Sequence, residues 1–168
     1  MLPIVHDVIG TIRALVEKNG NKLEVACDPA LGEMRADQTR VRQVLFNLLS
    51  NACKFTEHGL IRLEVKRERN DGAEWIVFRV ADSGIGMSPA QVTRLYRPFV
   101  QADASTTRKY GGTGLGLTIS QQFCQMMGGS LSVESELGKG STFSIRLPAD
   151  AAARTGEDEL TTVGVLAE

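Results

Sequence analysis

The chain has 168 residues, enough for one domain with a substantial core, and its 42% apolar and 23% charged residues are ordinary for a globular protein. A net charge of −1 gives no electrostatic reason to expect nucleic acid or an anionic membrane as partner, and no apolar run approaches the roughly 18 residues that cross a bilayer. The start lacks the basic region, long hydrophobic stretch and small-residue site of a signal peptide. A cytoplasmic location without direct membrane contact is therefore the expectation for this piece, even if a longer protein anchors it. Cys27, Cys53 and Cys124 show no paired ligand spacing and read as small apolar core residues, not as disulfide or zinc partners.

In chain order, Ile4, Val5, Val8, Ile9, Ile12, Leu15 and Val16 recur at helical spacing over residues 3–18, and Asn19-Gly20 supplies a stop. "KLEVAC" alternates as a strand; a loop follows, and Asp37 is a plausible N-cap for a helix from about 38 to 55. "LIRLEVKRE" and "EWIVFRVAD" are two strands joined as a hairpin through Asn70-Asp71-Gly72. Ser88-Pro89 opens a short helix to about Tyr96. Residues 98–113 are polar, end in glycine and are long for a connection, which suits a lid or disorder. "TGLGLTISQQFCQMM" resumes as a helix, then "GSLSVESE" and "STFSIRLP" form a second hairpin around Leu137-Gly138-Lys139-Gly140. From Ala149 the chain is polar and acidic, so the expected organisation is one domain over 1–148 and a flexible tail or linker over 149–168. The expected class is α+β: one mixed sheet with helices on one face and a pocket built by loops.

The helix from 38 to 55 carries an unusual polar line. At about 100° per residue, Asn47, Asn51 and Lys54 fall within roughly 60° of each other, opposite Val41, Val44, Leu45, Leu48, Leu49 and Ala52. A solvated face would explain the pattern, but such a face is more readily built from better helix formers than asparagine. A carboxamide oxygen can ligate a hard cation, and an ammonium one turn away suits an anion beside it. Mg²⁺ with a nucleotide polyphosphate would use all three groups.

Three glycine-bearing stretches extend this reading. In "ADSGIGMS", Asp82 ends an apolar strand, and its acceptor-only carboxylate suits the exocyclic amine of adenine, whereas guanine offers an acceptor there. Gly84 and Gly86 would permit a tight turn and the approach of a flat base, although Asp-Gly turns at strand ends are common. In "YGGTGLGLTIS", Gly111, Gly112, Gly114 and Gly116 lie at the start of an apolar helix, where bare N–H groups can face phosphates. Helix packing and a hinge would also explain them, and neither Walker nor Rossmann spacing is present. "GKGSTF" reads as a hairpin turn, with Thr142 able to point a hydroxyl at the base. Arg97, Arg108 and Lys109 could reach terminal phosphates as a loop closes.

Together and in this order, "NLLSNACKFTEHG", "ADSGIGMS", "LYRPFVQAD", "GGTGLGLTIS" and "GKGSTF" resemble the N, G1, F, G2 and G3 boxes of the sensor histidine kinase catalytic and ATP-binding domain, over about residues 3–148. That domain is grouped with gyrase, mismatch-repair MutL and the ninety-kilodalton heat-shock ATPases. The resemblance implies the Bergerat α/β sandwich with a mobile ATP lid. It further implies that Asn51 ligates Mg²⁺ with Asn47 assisting, that Lys54 touches phosphate and that Phe55 packs on adenine. Asp82 would take the adenine amine with Gly84, Ile85, Gly86 and Thr142 around the base. Gly112, Thr113, Gly114, Leu115, Gly116 and Leu117 would hold phosphates with Arg97 and Lys109, and Asn47, Lys54 and Arg108 would serve the transfer.

The activity implied is transfer of the ATP γ-phosphoryl group to a histidine on a separate dimerisation domain, with a response regulator receiver as the indirect partner. Hydrolysing relatives carry a glutamate where this chain has Asn47, and a carboxamide has no useful basicity, so slow hydrolysis is expected. His6-Asp7 mimics the start of a phosphoacceptor motif, but the Arg and Pro that should follow are missing. The acceptor is thus expected outside this chain. A nucleotide-sensing module or an anti-sigma-type serine kinase would share the same site.

Overall fold

The structure, a computed structural model, describes residues 2–95 and 116–151. Helix α1 (Leu2–Lys18) leads through a short turn into strand β1 (Lys22–Cys27), and helix α2 (Gln38–Phe55) follows. Asp37 caps α2 as expected: its backbone is extended and its Oδ1 accepts from Arg40 N at 3.1 Å. Strands β2 (Leu60–Asn70) and β3 (Ala73–Asp82) run closer to their turn than the sequence suggested, by two residues and one residue respectively. Asp71 and Gly72, at φ 49° and 79°, make the two-residue turn whose twist matches the flanking strands. Helix α3 (Pro89–Arg94) opens with a reciprocal capping box between Ser88 and Gln91. Helix α4 (Gly116–Met126) then precedes the hairpin of β4 (Ser130–Glu136) and β5 (Gly140–Pro148).

The five strands form one sheet in the order β1-β2-β3-β5-β4, with β1 and β2 parallel and the other neighbours antiparallel. Alternation puts Ile61, Leu63 and Val65 of β2, Ile76, Phe78 and Val80 of β3, and Phe143, Ile145 and Leu147 of β5 on one buried face. Helix α2 lies over this face between α1 and α4, and Leu45, Leu48 and Leu49 are completely buried there. Each such leucine contributes about 1.5–3 kcal/mol by leaving water, and this burial, more than helix propensity, fixes which side of α2 the polar line occupies. The α+β class with helices on one face is as expected. Among the described residues no helix is long and apolar enough to cross a membrane.

All three cysteines are free. Cys53 and Cys124 are buried as expected, with burial pushing their thiols up to about 11 and about 12, whereas Cys27 is only half-buried on the edge strand β1. The boundary expected after residue 148 falls too early. Ala149 and Ala151 belong to the core at 8% and 3% exposure, and their backbones exchange three 2.8 Å hydrogen bonds with Glu74 and Arg35. Composition could not reveal this, because the partners are Glu74 of β3 and Arg35 in a loop more than a hundred residues earlier.

Candidate functional site

The site is assembled at the C-terminal half of α2, and the polar line there is not a solvated face. Asn47, Asn51 and Lys54 are half-buried, while the outward side of the helix is formed by Arg42, Gln43 and Phe46. Asn47 Nδ2 donates to Ser120 Oγ of α4 at 2.9 Å. Gly116, one turn earlier on α4, leaves room for the same side chain, since a Cβ there would collide with Asn47 Oδ1. Lys54 Nζ sits 5.2 Å from the centre of the Phe55 ring, and desolvation pulls its pKa below the usual lysine value. An anion beside it would reverse that shift.

The end of α2 is held from the other side by the α1–β1 turn. Asn19 Nδ2 donates to Cys53 O at 2.8 Å. Asn21, itself buried, donates to Thr56 O at 2.7 Å and accepts from Gly59 N at 3.0 Å. These carboxamides take up carbonyls that a helix C-terminus leaves without intrahelical partners. From sequence, Asn19 reads only as part of the Asn19-Gly20 helix stop, and Asn21 is not singled out.

The turn after β3 docks onto this same helix end. Ile85 N donates to Phe55 O at 3.1 Å, and a Cβ at Gly84 would strike that carbonyl, so the glycine is required for the close approach. Asp82 lies on the helix-covered face of the sheet, and its Oδ1 accepts from Gly84 N at 2.9 Å and from Thr56 Oγ1 at 3.5 Å. Burial pushes the Asp82 carboxyl above the ordinary carboxylate range, against the opposing pull of hydrogen bonds from Gly84, Ser141 and Thr56. Thr56, 1% exposed, is a further site residue that the sequence reading missed.

The second hairpin closes the turn from below. Gly138 N donates to Ile85 O at 2.8 Å, and Met87 N donates to Ser135 Oγ at 2.8 Å. Gly140, at φ 110°, lies so close to Asp82 that a Cβ would collide with its carbonyl oxygen. The bare side of Gly86 meets the Glu136 carbonyl, so the missing side chain is what lets the hairpin pack against this turn.

Thr142 is a correction. It pairs with Ala81 and Glu134 on the outer face of the sheet, out of phase with Phe143, Ile145 and Leu147, and cannot share a pocket with Asp82. Ser141 is the residue paired with Asp82, on the helix-covered side, with its Oγ 2.8 Å from Ser135 Oγ. The signal was present in the sequence as strand parity. Leu117 is buried in the core, so only its backbone is available to a ligand. Arg97, Arg108, Lys109, Gly112, Thr113, Gly114 and Leu115 lie outside the described residues. His6 is exposed on α1, and Asp7 pairs with Arg42 of α2 at 3.2 Å.

Among the described residues no cluster of three or more His, Cys, Asp or Glu side chains could hold a metal. A hard cation at this site would therefore rest on carboxamide oxygens and on a ligand's own phosphates, the mode that suits Mg²⁺. Asn47 and Asn51, one turn apart and half-buried, fit that requirement: with Nδ2 of Asn47 engaged by Ser120, its oxygen is turned toward the start of α4.

Fold and site thus define a nucleotide-binding α/β sandwich of the kind that serves histidine kinases as their catalytic domain. The sequence matches the family described as "Histidine kinase-, DNA gyrase B-, and HSP90-like ATPase" over residues 36–151. The chain belongs to this family. It is 39% identical over 166 residues, 98% of its length, to hybrid signal transduction histidine kinase B of Dictyostelium discoideum, of which it spans 8%. It is 48% identical over 115 residues, 68% of its length, to the autoinducer 2 sensor kinase/phosphatase LuxQ of Vibrio cholerae, of which it spans 13%. Full-length ShkA in complex with AMPPNP superposes with a TM-score of 0.75 at 34% identity, over 87% of this chain and 29% of that one. The nucleotide-free catalytic domain of histidine kinase ThkA gives 0.75 at 23% identity over 90% of this chain and 94% of that one, which speaks for the fold alone.

Proposed function

We propose that this domain binds ATP with Mg²⁺ and transfers the γ-phosphoryl group to a histidine on a separate dimerisation domain, from which a response regulator receiver is charged in turn. The observation that carries the reading is convergence. Asn47, Asn51 and Lys54 of α2, Asp82 and its turn, the 138–141 hairpin and the start of α4 meet around one helix end, although they span seventy residues or more of sequence. Asp82 offers a carboxylate to the adenine amine, Phe55 offers a ring to the base, and Lys54 offers an ammonium to phosphate. Mg²⁺ held by Asn51 and Asn47 would neutralise charge between the outer phosphates. Arg97, Arg108, Lys109 and the backbone of residues 112–117 complete the phosphate side in this proposal.

A neutral imidazole nitrogen carries its own lone pair, so the acceptor needs no general base from this chain. The N–P bond forms as the bond from the γ-phosphorus to the β–γ bridging oxygen breaks, and the electron pair leaves on ADP. Water would need a base, and Asn47 supplies none, so hydrolysis is slow. The test is to mix this chain with a separately made dimerisation unit and γ-labelled ATP. Acid-labile, base-stable label on the unit, lost with Asn51→Ala, is the expected result. Brisk hydrolysis by the clean domain, or label on serine, would overturn the assignment.

A further inference from the structure

The side chain of Asn47 is clasped by α4 at two points four residues apart. Its Nδ2 donates to Ser120 Oγ at 2.9 Å, and Ser120 is 2% exposed, so water cannot replace that acceptor. Its Oδ1 occupies the space where any side chain at 116 would stand. A terminal carboxamide otherwise turns easily between two orientations that exchange oxygen for NH₂. One orientation offers an acceptor toward the start of α4; the other offers two donors, which repel a cation. The Ser120 hydroxyl can accept from Nδ2 or donate to Oδ1, so it keeps a hydrogen bond in either orientation and fixes where the carboxamide stands, while a cation in front of it favours the orientation seen here, with Nδ2 on Ser120 and the oxygen toward the start of α4. Residues 47 and 120 are far apart in sequence, and the contact joins the helix that carries Asn51 and Lys54 to the helix that begins directly after the glycine cluster.

We infer that Ser120 is a positioning residue that holds the carboxamide of Asn47 where its oxygen can face metal-bound nucleotide, and that the bare Cα of Gly116 is the space this requires. The inference rests on the site being one for ATP with Mg²⁺. It places the metal dependence of binding partly in a hydroxyl that touches neither metal nor nucleotide. It also makes α4 responsive to the metal, since a cation on Asn47 Oδ1 holds the carboxamide that holds Ser120.

Calorimetric titration of ATP into the whole chain, in MgCl₂ and separately in EDTA, tests it with four variants. Ser120→Ala removes the acceptor and is expected to raise the Kd in MgCl₂ about 3- to 10-fold while leaving the Kd in EDTA within twofold. Ser120→Cys keeps the volume with a much weaker acceptor and should behave alike, which covers the case of an alanine variant that does not fold. Ser120→Thr keeps the hydroxyl and should restore the wild-type ratio. Gly116→Ala, pressing on Asn47 from its other side, should show the same metal-selective loss. Equal losses with and without Mg²⁺, no loss at all, or failure of threonine to rescue would overturn the positioning role while ATP binding stands. A wild-type chain that ignores ATP at millimolar concentration would overturn the functional reading first and this inference with it.

Discussion

Replacing Asp82 by asparagine should move stability and affinity in opposite directions. The backbone turn survives the change, because an asparagine Oδ1 can still accept from Gly84 N and Thr56 Oγ1, the bonds seen at 2.9 and 3.5 Å. What disappears is the charge, and an NH₂ group now stands where the adenine amine also brings a donor. A hydrogen bond to a charged group is worth about 1.5–3 kcal/mol, so the Kd for ATP should rise roughly 10- to 150-fold. The preference for ATP over GTP should shrink, because the new donor can meet the guanine oxygen. In the nucleotide-free protein the sign reverses. Burial raises the Asp82 pKa above its ordinary value of 3.8, so the folded chain binds this proton more readily than the unfolded chain. The stability linked to that proton is fully present below 3.8 and is lost as pH rises through the raised value. At pH 7 the wild type therefore holds a buried charge that asparagine relieves, and Asp82→Asn should melt at the same temperature or higher. ATP affinity of the wild type should weaken on acidification as the carboxylate takes up its proton, and the variant should lose this dependence. Calorimetric titration with ATP and GTP between pH 5 and 8, with thermal melts of the free proteins, reads all of these. An ATP Kd within twofold of wild type, or a variant melting several degrees lower, would refute the role given to this carboxylate.

Asn21→Ala strips three hydrogen bonds from the end of α2 and leaves Cys53 O, Thr56 O and Gly59 N without that partner. The loss should be about 2–4 kcal/mol, seen as a fall of roughly 4–16 °C in Tm by calorimetry, and weaker ATP binding should accompany it because Lys54 and Phe55 lie on the released turn. The two neighbours in β5 should differ sharply: Thr142→Val, on the outer face, should leave the Kd for ATP within twofold. Ser141→Val places apolar bulk beside Asp82 and breaks the contact with Ser135, and should raise that Kd about tenfold. Equal effects of the two would contradict the strand parity assigned here.

Much of this protein is written in local signals. Helix periodicity gave the polar line of α2 against its leucines, Asp37 and Ser88 marked helix starts by supplying acceptors to bare N–H groups, and Asp71-Gly72 announced a turn that needs positive φ. Each of these depends only on residues within a turn or two. The order of the five motifs was sufficient to reach the family before any coordinate was known. Strand parity was also available, and applied to Phe143, Ile145 and Leu147 it would have selected Ser141 over Thr142.

Other features had no local trace. Asn19 and Asn21 cap a helix whose end lies more than thirty residues away, Ser120 clasps Asn47 from another helix, and Ala149 and Ala151 pair with a loop that composition alone assigned to no partner. The glycines show the same division. The sequence marked 84, 86, 116 and 140 as places where a side chain is unwelcome, but whether the excluded atom would meet a nucleotide or a neighbouring backbone depends on how the sheet, the hairpin and the helices close upon one another. Local sequence sets conformational preference within a few residues. The identity of the group that fills the space beside a bare Cα is set by packing between distant segments, and only the tertiary fold decides it.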